Sequence, residues 1–229
     1  MAHDRAVSGS FSSVGLTAGV VAGLLAAVAL ALPASAQSVW EPVVGGGAPV
    51  TNGFGSAANQ AASAVAEFNG RLFVAAGGDT GTAFMMWSSV DGTSWDVITD
   101  DGFGDPGNQG VAAMAVFGGY LYAGTTNTAT GAEIWRTDNG TVWIQVNTSG
   151  FGSAANTAVV ALDVFGGQLY AGIQNQALGG AIYRSPNGTS WIPTMIGGFG
   201  LPANVAVASL AGFGSRFYAG TFKESTLYN

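Results

Sequence analysis

The sequence predicts an all-β chain built from repeated short antiparallel sheets behind an apolar leader. Three observations predict it: a phrase that recurs at a fixed period, strand-type segments split by glycine turns within each period, and chain ends that complement one another. The phrase is Gly-Phe-Gly, at Gly53-Phe54-Gly55, Gly102-Phe103-Gly104, Gly150-Phe151-Gly152 and Gly198-Phe199-Gly200, spaced by 49, 48 and 48 residues. A fixed period in this range marks a repeat architecture.

The leader comes first. Arg5 lies in a polar start, an apolar run extends from about Val14 to Leu32, and Ala34-Ser35-Ala36 precedes Gln37. That order is the n-region, h-region and small-residue cleavage site of a secretory signal. Residues 1–36 are expected to form a signal helix that is removed. Residues 37–229 then form one secreted, extracytoplasmic domain; an uncleaved membrane anchor is the alternative.

The second repeat shows the elements in order. Val111–Phe117 reads as strand a and Tyr120–Gly124 as strand b, joined by Gly118-Gly119, where glycine accepts positive φ. A polar loop leads to strand c, 132–136, and Asn139-Gly140 is a two-residue hairpin signal before strand d, 141–146. Four strands in 48 residues is the content of one propeller blade. The fold class is therefore all-β, a β-propeller of four four-stranded blades at about 51–99, 100–147, 148–195, and 196–229 plus 38–43.

Aromatic residues fall in repeat slots. Strand a closes on Phe68, Phe117, Phe165 and Phe213, and strand b carries Phe73, Tyr122, Tyr170 and Tyr218. Strand c carries Trp87, Trp135, Tyr183 and Tyr228, and strand d Trp40, Trp95, Trp143 and Trp191. Large rings at such spacing are expected to fill the space between blades. The last repeat has strands a, b and a short c, and then the chain stops; the strand it lacks matches Ser38–Val43. The N-terminal strand is therefore expected to complete the last blade and hide the sheet edges. A monomer closed this way, a homodimeric eight-bladed ring and a piece of a longer array remain open.

Composition excludes several chemistries. Residues 37–229 contain no Cys and no His, since His3 lies in the leader. Ser-His-Asp triads, Cys-His pairs and zinc sites built on His or Cys are thus excluded. Five basic against twelve acidic residues leave no basic patch, so nucleic acid and anionic membrane surfaces are not expected partners.

The c–d hairpins read Ser89-Val-Asp-Gly-Thr-Ser-Trp95, Thr137-Asp-Asn-Gly-Thr-Val-Trp143 and Ser185-Pro-Asn-Gly-Thr-Ser-Trp191. These resemble the Asp-box repeats of bacterial neuraminidase-like propellers, roughly S-x-D-x-G-x-T-W. Each copy here is one residue shorter, and only the first sets an Asp beside the Gly. Asp-boxes are structural in that family. A sialidase of the family implies an arginine triad, a Tyr nucleophile with a Glu partner, and an acidic acid/base residue. Topology instead places Arg71, Arg136, Arg184 and Arg216 at the a–b/c–d end, away from the end where propeller ligands sit. There they are expected to pair with neighbours such as Glu67 or Asp138.

The opposite end, formed by d–a and b–c loops, is acidic, and its b–c loops vary most between repeats. Variable loops on a repetitive scaffold are where binding resides. Asp79, Asn127, Asn175, Phe222 and Lys223 are the candidate ligand-binding residues, and Asp100, Asp101 and Asp105 form a weak Ca²⁺ candidate. No catalytic residue is assigned. The leading expectation is a non-catalytic binding module for a glycan or an extracellular protein. The alternatives are a degenerate sialidase-like glycoside hydrolase, favoured by an acidic pair at hydrolase separation, and a purely structural, self-assembling repeat protein.

Overall fold

The computed structural model describes residues 52–56, 59–78 and 82–223, all within one compact unit, Pro42–Asn229. The leader, the N-terminal strand 38–43, Asp79 and the last strand near Tyr228 lie outside the described residues.

The chain is all-β. Repeat 1 contains β1 (Asn59–Phe68), β2 (Arg71–Gly78), β3 (Met85–Ser89) and β4 (Asp96–Thr99). Repeat 2 contains β5 (Gly110–Phe117), β6 (Tyr120–Thr126), β7 (Ile134–Thr137) and β8 (Ile144–Gln145). Repeat 3 contains β9 (Ala158–Phe165), β10 (Gln168–Gln174), β11 (Ala181–Ser185) and β12 (Ile192–Met195). The described part of repeat 4 contains β13 (Asn204–Phe213) and β14 (Arg216–Lys223). Within each repeat, consecutive strands pair antiparallel. The first strands lie side by side, β1 with β5, β5 with β9 and β9 with β13, while β1 and β13 share no comparable interface among the described residues. Single pairs of residues stitch neighbouring sheets, Thr126 with Ala158 and Gln174 with Ala206.

The hydrophobic core lies between repeats. One cluster joins Phe68, Phe73 and Met86 of repeat 1 to Leu121, Met114 and Trp143 of repeat 2. A second joins Tyr122 and Ile134 of repeat 2 to Leu169, Leu162 and Trp191 of repeat 3. Rings in the expected slots therefore do fill the joints. Burying such a side chain contributes about 1.5–3 kcal/mol.

The Gly-Phe-Gly turn is more unusual than the sequence suggests. Its phenylalanine adopts left-handed backbone in every copy: φ is 52° at Phe54, 64° at Phe103, 54° at Phe151 and 60° at Phe199. A bulky residue there is a conformational outlier costing about 1–2 kcal/mol. Stacking offsets that cost. Phe54 lies on Trp87 with centroids 4.2 Å apart, Phe103 on Trp143 at 4.8 Å, and Phe151 on Tyr183 at 4.0 Å.

The c–d hairpin departs from expectation. Asn139-Gly140 is not a two-residue turn with positive φ at both positions; only Gly140 has it, at 80°. Asn139 Oδ1 instead accepts the N–H groups of Thr141 and Val142. Those residues curl around the side chain, so β8 shrinks to Ile144–Gln145. Gly140 is needed twice over, because a Cβ there would lie 2.6 Å from Phe73 Cζ of the preceding repeat.

Candidate functional site

The end of the molecule that carries the b–c loops is organised by asparagines. Asn59, Asn108, Asn156 and Asn204 stand at the same point after each Gly-Phe-Gly. Each donates its amide to the first glycine's carbonyl: Gly53 at 2.8 Å, and Gly102, Gly150 and Gly198 at 2.9 Å each. Their own carbonyls hold the preceding repeat. The N–H groups of Phe84, Ala132 and Gly180 donate to the carbonyls of Asn108, Asn156 and Asn204 at 2.7–2.8 Å. Every joint is thus clasped by backbone hydrogen bonds as well as by apolar contact.

Asn127 and Asn175 cap the b–c loops. Asn127 Oδ1 accepts the N–H groups of Ala129 and Thr130, and Asn175 Oδ1 those of Ala177 and Leu178. Both side chains are buried, and both amides turn inward, to Asn108 Oδ1 at 3.2 Å and to Asn156 Oδ1 at 2.8 Å. Asn127 has a further bond to Asp105 Oδ2 at 3.0 Å, so its hydrogen-bonding capacity is used up inside the protein.

Repeat 2 adds two carboxylates to this framework. Glu133 is buried, its Oε2 accepting from Asn108 Nδ2 at 2.8 Å and Trp135 Nε1 at 2.9 Å, and its Oε1 from Ser149 Oγ at 2.8 Å. Asp105 is half-buried; Oδ1 accepts the Gly107 N–H and Oδ2 the Asn127 amide. The two carboxylates are therefore linked through Asn127 and Asn108. Sequence reading missed Glu133 as a site residue. The signal was available: the same slot holds Met85 in repeat 1 and Ala181 in repeat 3, so a buried charge there is not a demand of the scaffold.

The Ca²⁺ candidate does not assemble. Asp101 Oδ1 accepts the Thr99 hydroxyl and the Gly104 N–H, and these bonds hold its pKa below the usual carboxylate value. Asp105 faces Asn127 instead, and Asp100 makes no hydrogen bond with either. Among the described residues no three carboxylates or other metal-binding side chains converge.

Arg71, Arg136 and Arg184 are engaged at the other end. Arg71 pairs with Asp96 at 2.8 Å rather than with Glu67, which accepts the Gly70 N–H. Arg136 stacks over Tyr120 at 4.2 Å, and Arg184 donates to Gln168.

The four described residues among the five expected ligand residues make no hydrogen bond with one another. Asn127, Asn175 and Lys223 occupy one equivalent slot, five residues beyond Tyr122, Tyr170 and Tyr218, on three different repeats. Phe222 and Lys223 belong to strand β14 rather than to a loop, and Phe222 is exposed. Asp79 lies outside the described residues.

No family model matches the sequence, and no curated protein sequence matches it either. Solved structures do match in shape. One is a GH43 α-L-arabinofuranosidase from Clostridium thermocellum, with a TM-score of 0.49 and 13% identity over 72% of this chain and 64% of that one. A GH32 β-fructofuranosidase from Bombyx mori gives 0.44 and 12%, over 69% and 41%. A sucrose-6-phosphate hydrolase from Lactobacillus gasseri gives 0.39 and 15%, over 58% and 34%. The chain thus spans less than two thirds of each matched structure, and at these identities the likeness concerns the fold alone. The expectation of a non-catalytic binding module is corrected here. Of its residues, Asn127 has its hydrogen-bonding groups engaged inside the protein; the structures that match in shape are named as glycoside hydrolases, which is said of those proteins.

Proposed function

We propose that this chain is a degenerate sialidase-like glycoside hydrolase on a four-bladed β-propeller, secreted after loss of residues 1–36. The observation that carries the reading is the linked pair Asp105 and Glu133 at the b–c loop end of repeat 2. Two carboxyl groups held in fixed relation are what glycoside hydrolysis uses as its acid and base. Glu133, gripped by three donors, is the positioning member. Asp105, half-buried, is the one a glycoside reaches. The Asp-box-like hairpins support the sialidase-like origin: Asp91, Asn139 and Asn187 each accept two N–H groups in the same geometry. The degeneracy lies in the arginines, of which Arg71, Arg136 and Arg184 are engaged at the opposite end.

The test is hydrolysis of a panel of aryl sialosides, arabinofuranosides and fructofuranosides by the purified chain. Slow turnover of at least one is expected, falling about 100-fold or more in Asp105→Asn. Turnover of none, or turnover indifferent to that change, would sink the proposal.

A second reading, self-assembly, rests on a different observation. Phe213, Tyr218 and Phe222 are exposed on repeat 4, and an open groove of about 500 Å³ lined by Phe54, Val65, Leu72, Val74 and Trp95 lies on repeat 1. Light scattering decides it: a concentration-dependent mass above that of one chain supports assembly, and a constant monomer mass removes it.

A further inference from the structure

The three complete repeats form a natural substitution series around one buried amide. In repeat 1, Asn59 Nδ2 gives one hydrogen to Gly53 O and the other to Met85 Sδ at 3.5 Å. In repeat 2, Asn108 Nδ2 gives one to Gly102 O and the other to the Glu133 carboxylate at 2.8 Å. In repeat 3, Asn156 Nδ2 gives one to Gly150 O, and the other faces the slot where Glu133 has become Ala181. The register confirms the equivalence. Met85 lies opposite Ala76 and Ala181 opposite Ile173, while the carbonyl of Glu133 accepts the N–H of Thr125.

The second carboxylate is missing too. Asn127 Nδ2 in repeat 2 serves both Asn108 and Asp105, whereas Asn175 Nδ2 in repeat 3 serves Asn156 alone, because Ser153 replaces Asp105. Ser149, the third donor to Glu133, becomes Gly197. The result is a pocket of about 210 Å³ lined by Ser153, Asn156, Asn175, Ala181, Tyr183 and Ile196. Asn156 and Asn175 are both more than nine-tenths buried. Each gives one amide hydrogen to the protein, to Gly150 O and to Asn156 Oδ1, and the second, which meets a carboxylate in repeat 2, has no protein acceptor in repeat 3.

We propose that the repeat-3 pocket binds a small carboxylate-bearing molecule, its carboxylate taking the place of the Glu133 side chain and its body lying against Tyr183, Leu178 and Ile196. The neighbouring repeat supplies a partial precedent: it holds a carboxylate with an asparagine, an indole and a hydroxyl and no cation, and of these donors repeat 3 keeps the asparagine, with Tyr183 in place of the indole and Gly197 in place of the hydroxyl. Such neutral recognition is weak, and a dissociation constant near about 1 mM is expected. The carboxylate has two possible sources, a free short-chain acid or a uronic acid unit of a polysaccharide.

The experiment follows the side-chain amide signals of Asn156 and Asn175 by NMR in the full chain, at constant ionic strength. Sodium propionate, sodium glucuronate and glucose are titrated in turn. Saturating shifts with propionate or glucuronate and none with glucose are expected, and the tighter of the two acids identifies the source. Ala181→Glu supplies the missing carboxylate from within and is expected to weaken binding about tenfold or more. Ser153→Asp, at an exposed position, competes for the Asn175 amide and is expected to weaken it as well, which keeps a test in hand if the first variant does not fold. A response that never saturates, or that is equal for glucose, means that solvent alone fills the pocket and overturns the proposal. So does acid binding that survives both substitutions.

Discussion

The joints that link repeats 1, 2 and 3 and the far face of repeat 4 use the same residue types in the same slots, with opposite outcomes. Phe68 is 4% exposed and its counterpart Phe213 78%. Tyr122 is 0% exposed and its counterpart Tyr218 49%. Strand pairing does not explain the difference, since β13 pairs with β14 as β1 does with β2. What differs is the neighbour. Phe73 is covered by the hairpin glycine Gly140 of the next repeat, and Tyr122 by Gly188. Phe165, one step before the end, still finds Phe217 of repeat 4 at 5.0 Å. Each repeat is therefore incomplete alone and gains its core from the one that follows, the quasi-one-dimensional logic of repeat proteins.

The largest expected effect tests that difference directly. Phe73→Ala removes a ring from a closed joint and is expected to destabilise by about 3–5 kcal/mol. Phe213→Ala removes one from an exposed face and is expected to change stability by no more than about 0.5 kcal/mol. Urea denaturation of the two variants beside the parent measures both. Equal losses would break the comparison, because Phe213 would then have to be covered in solution.

Much of this fold was legible in the sequence because repetition supplies its own control. The period, strands a and b, and the ring slots could be read from spacing, and they follow from burial at the joints. Other features were not legible. The left-handed phenylalanine of Gly-Phe-Gly is invisible to propensity: Phe54, Phe103 and Phe151 stack on Trp87, Trp143 and Tyr183 from across the sheet, and Phe199 takes the same φ while exposed. Asn139 reads as a hairpin residue but acts through its side chain, shortening strand d. The interior of the joint was hard to read for a related reason. Loop variability pointed to Asn127, whereas the informative positions are those where one repeat departs from the others inside the joint, Glu133 against Met85 and Ala181.

The smallest expected effect concerns the hairpins, where repeat 1 has Asp91 and the other two have Asn139 and Asn187. All three oxygens accept two N–H groups, but only Asp91 can titrate. The N–H groups of Ser94 and Thr93 hold its pKa well below the usual carboxylate value. A depressed folded-state pKa contributes stability that is present above the unfolded pKa, near about 4, and is lost as pH falls toward the folded value. Asp91→Asn keeps the turn, as its two counterparts show, and removes the titration. The stability gap between parent and variant is therefore expected to shrink as pH falls from about 6 to about 3. Full exposure and solvent screening keep the change small. A gap that stays constant with pH would mean that the two N–H bonds favour the carboxylate no more than water does, and the acid in repeat 1 would then be equivalent to the amides of repeats 2 and 3.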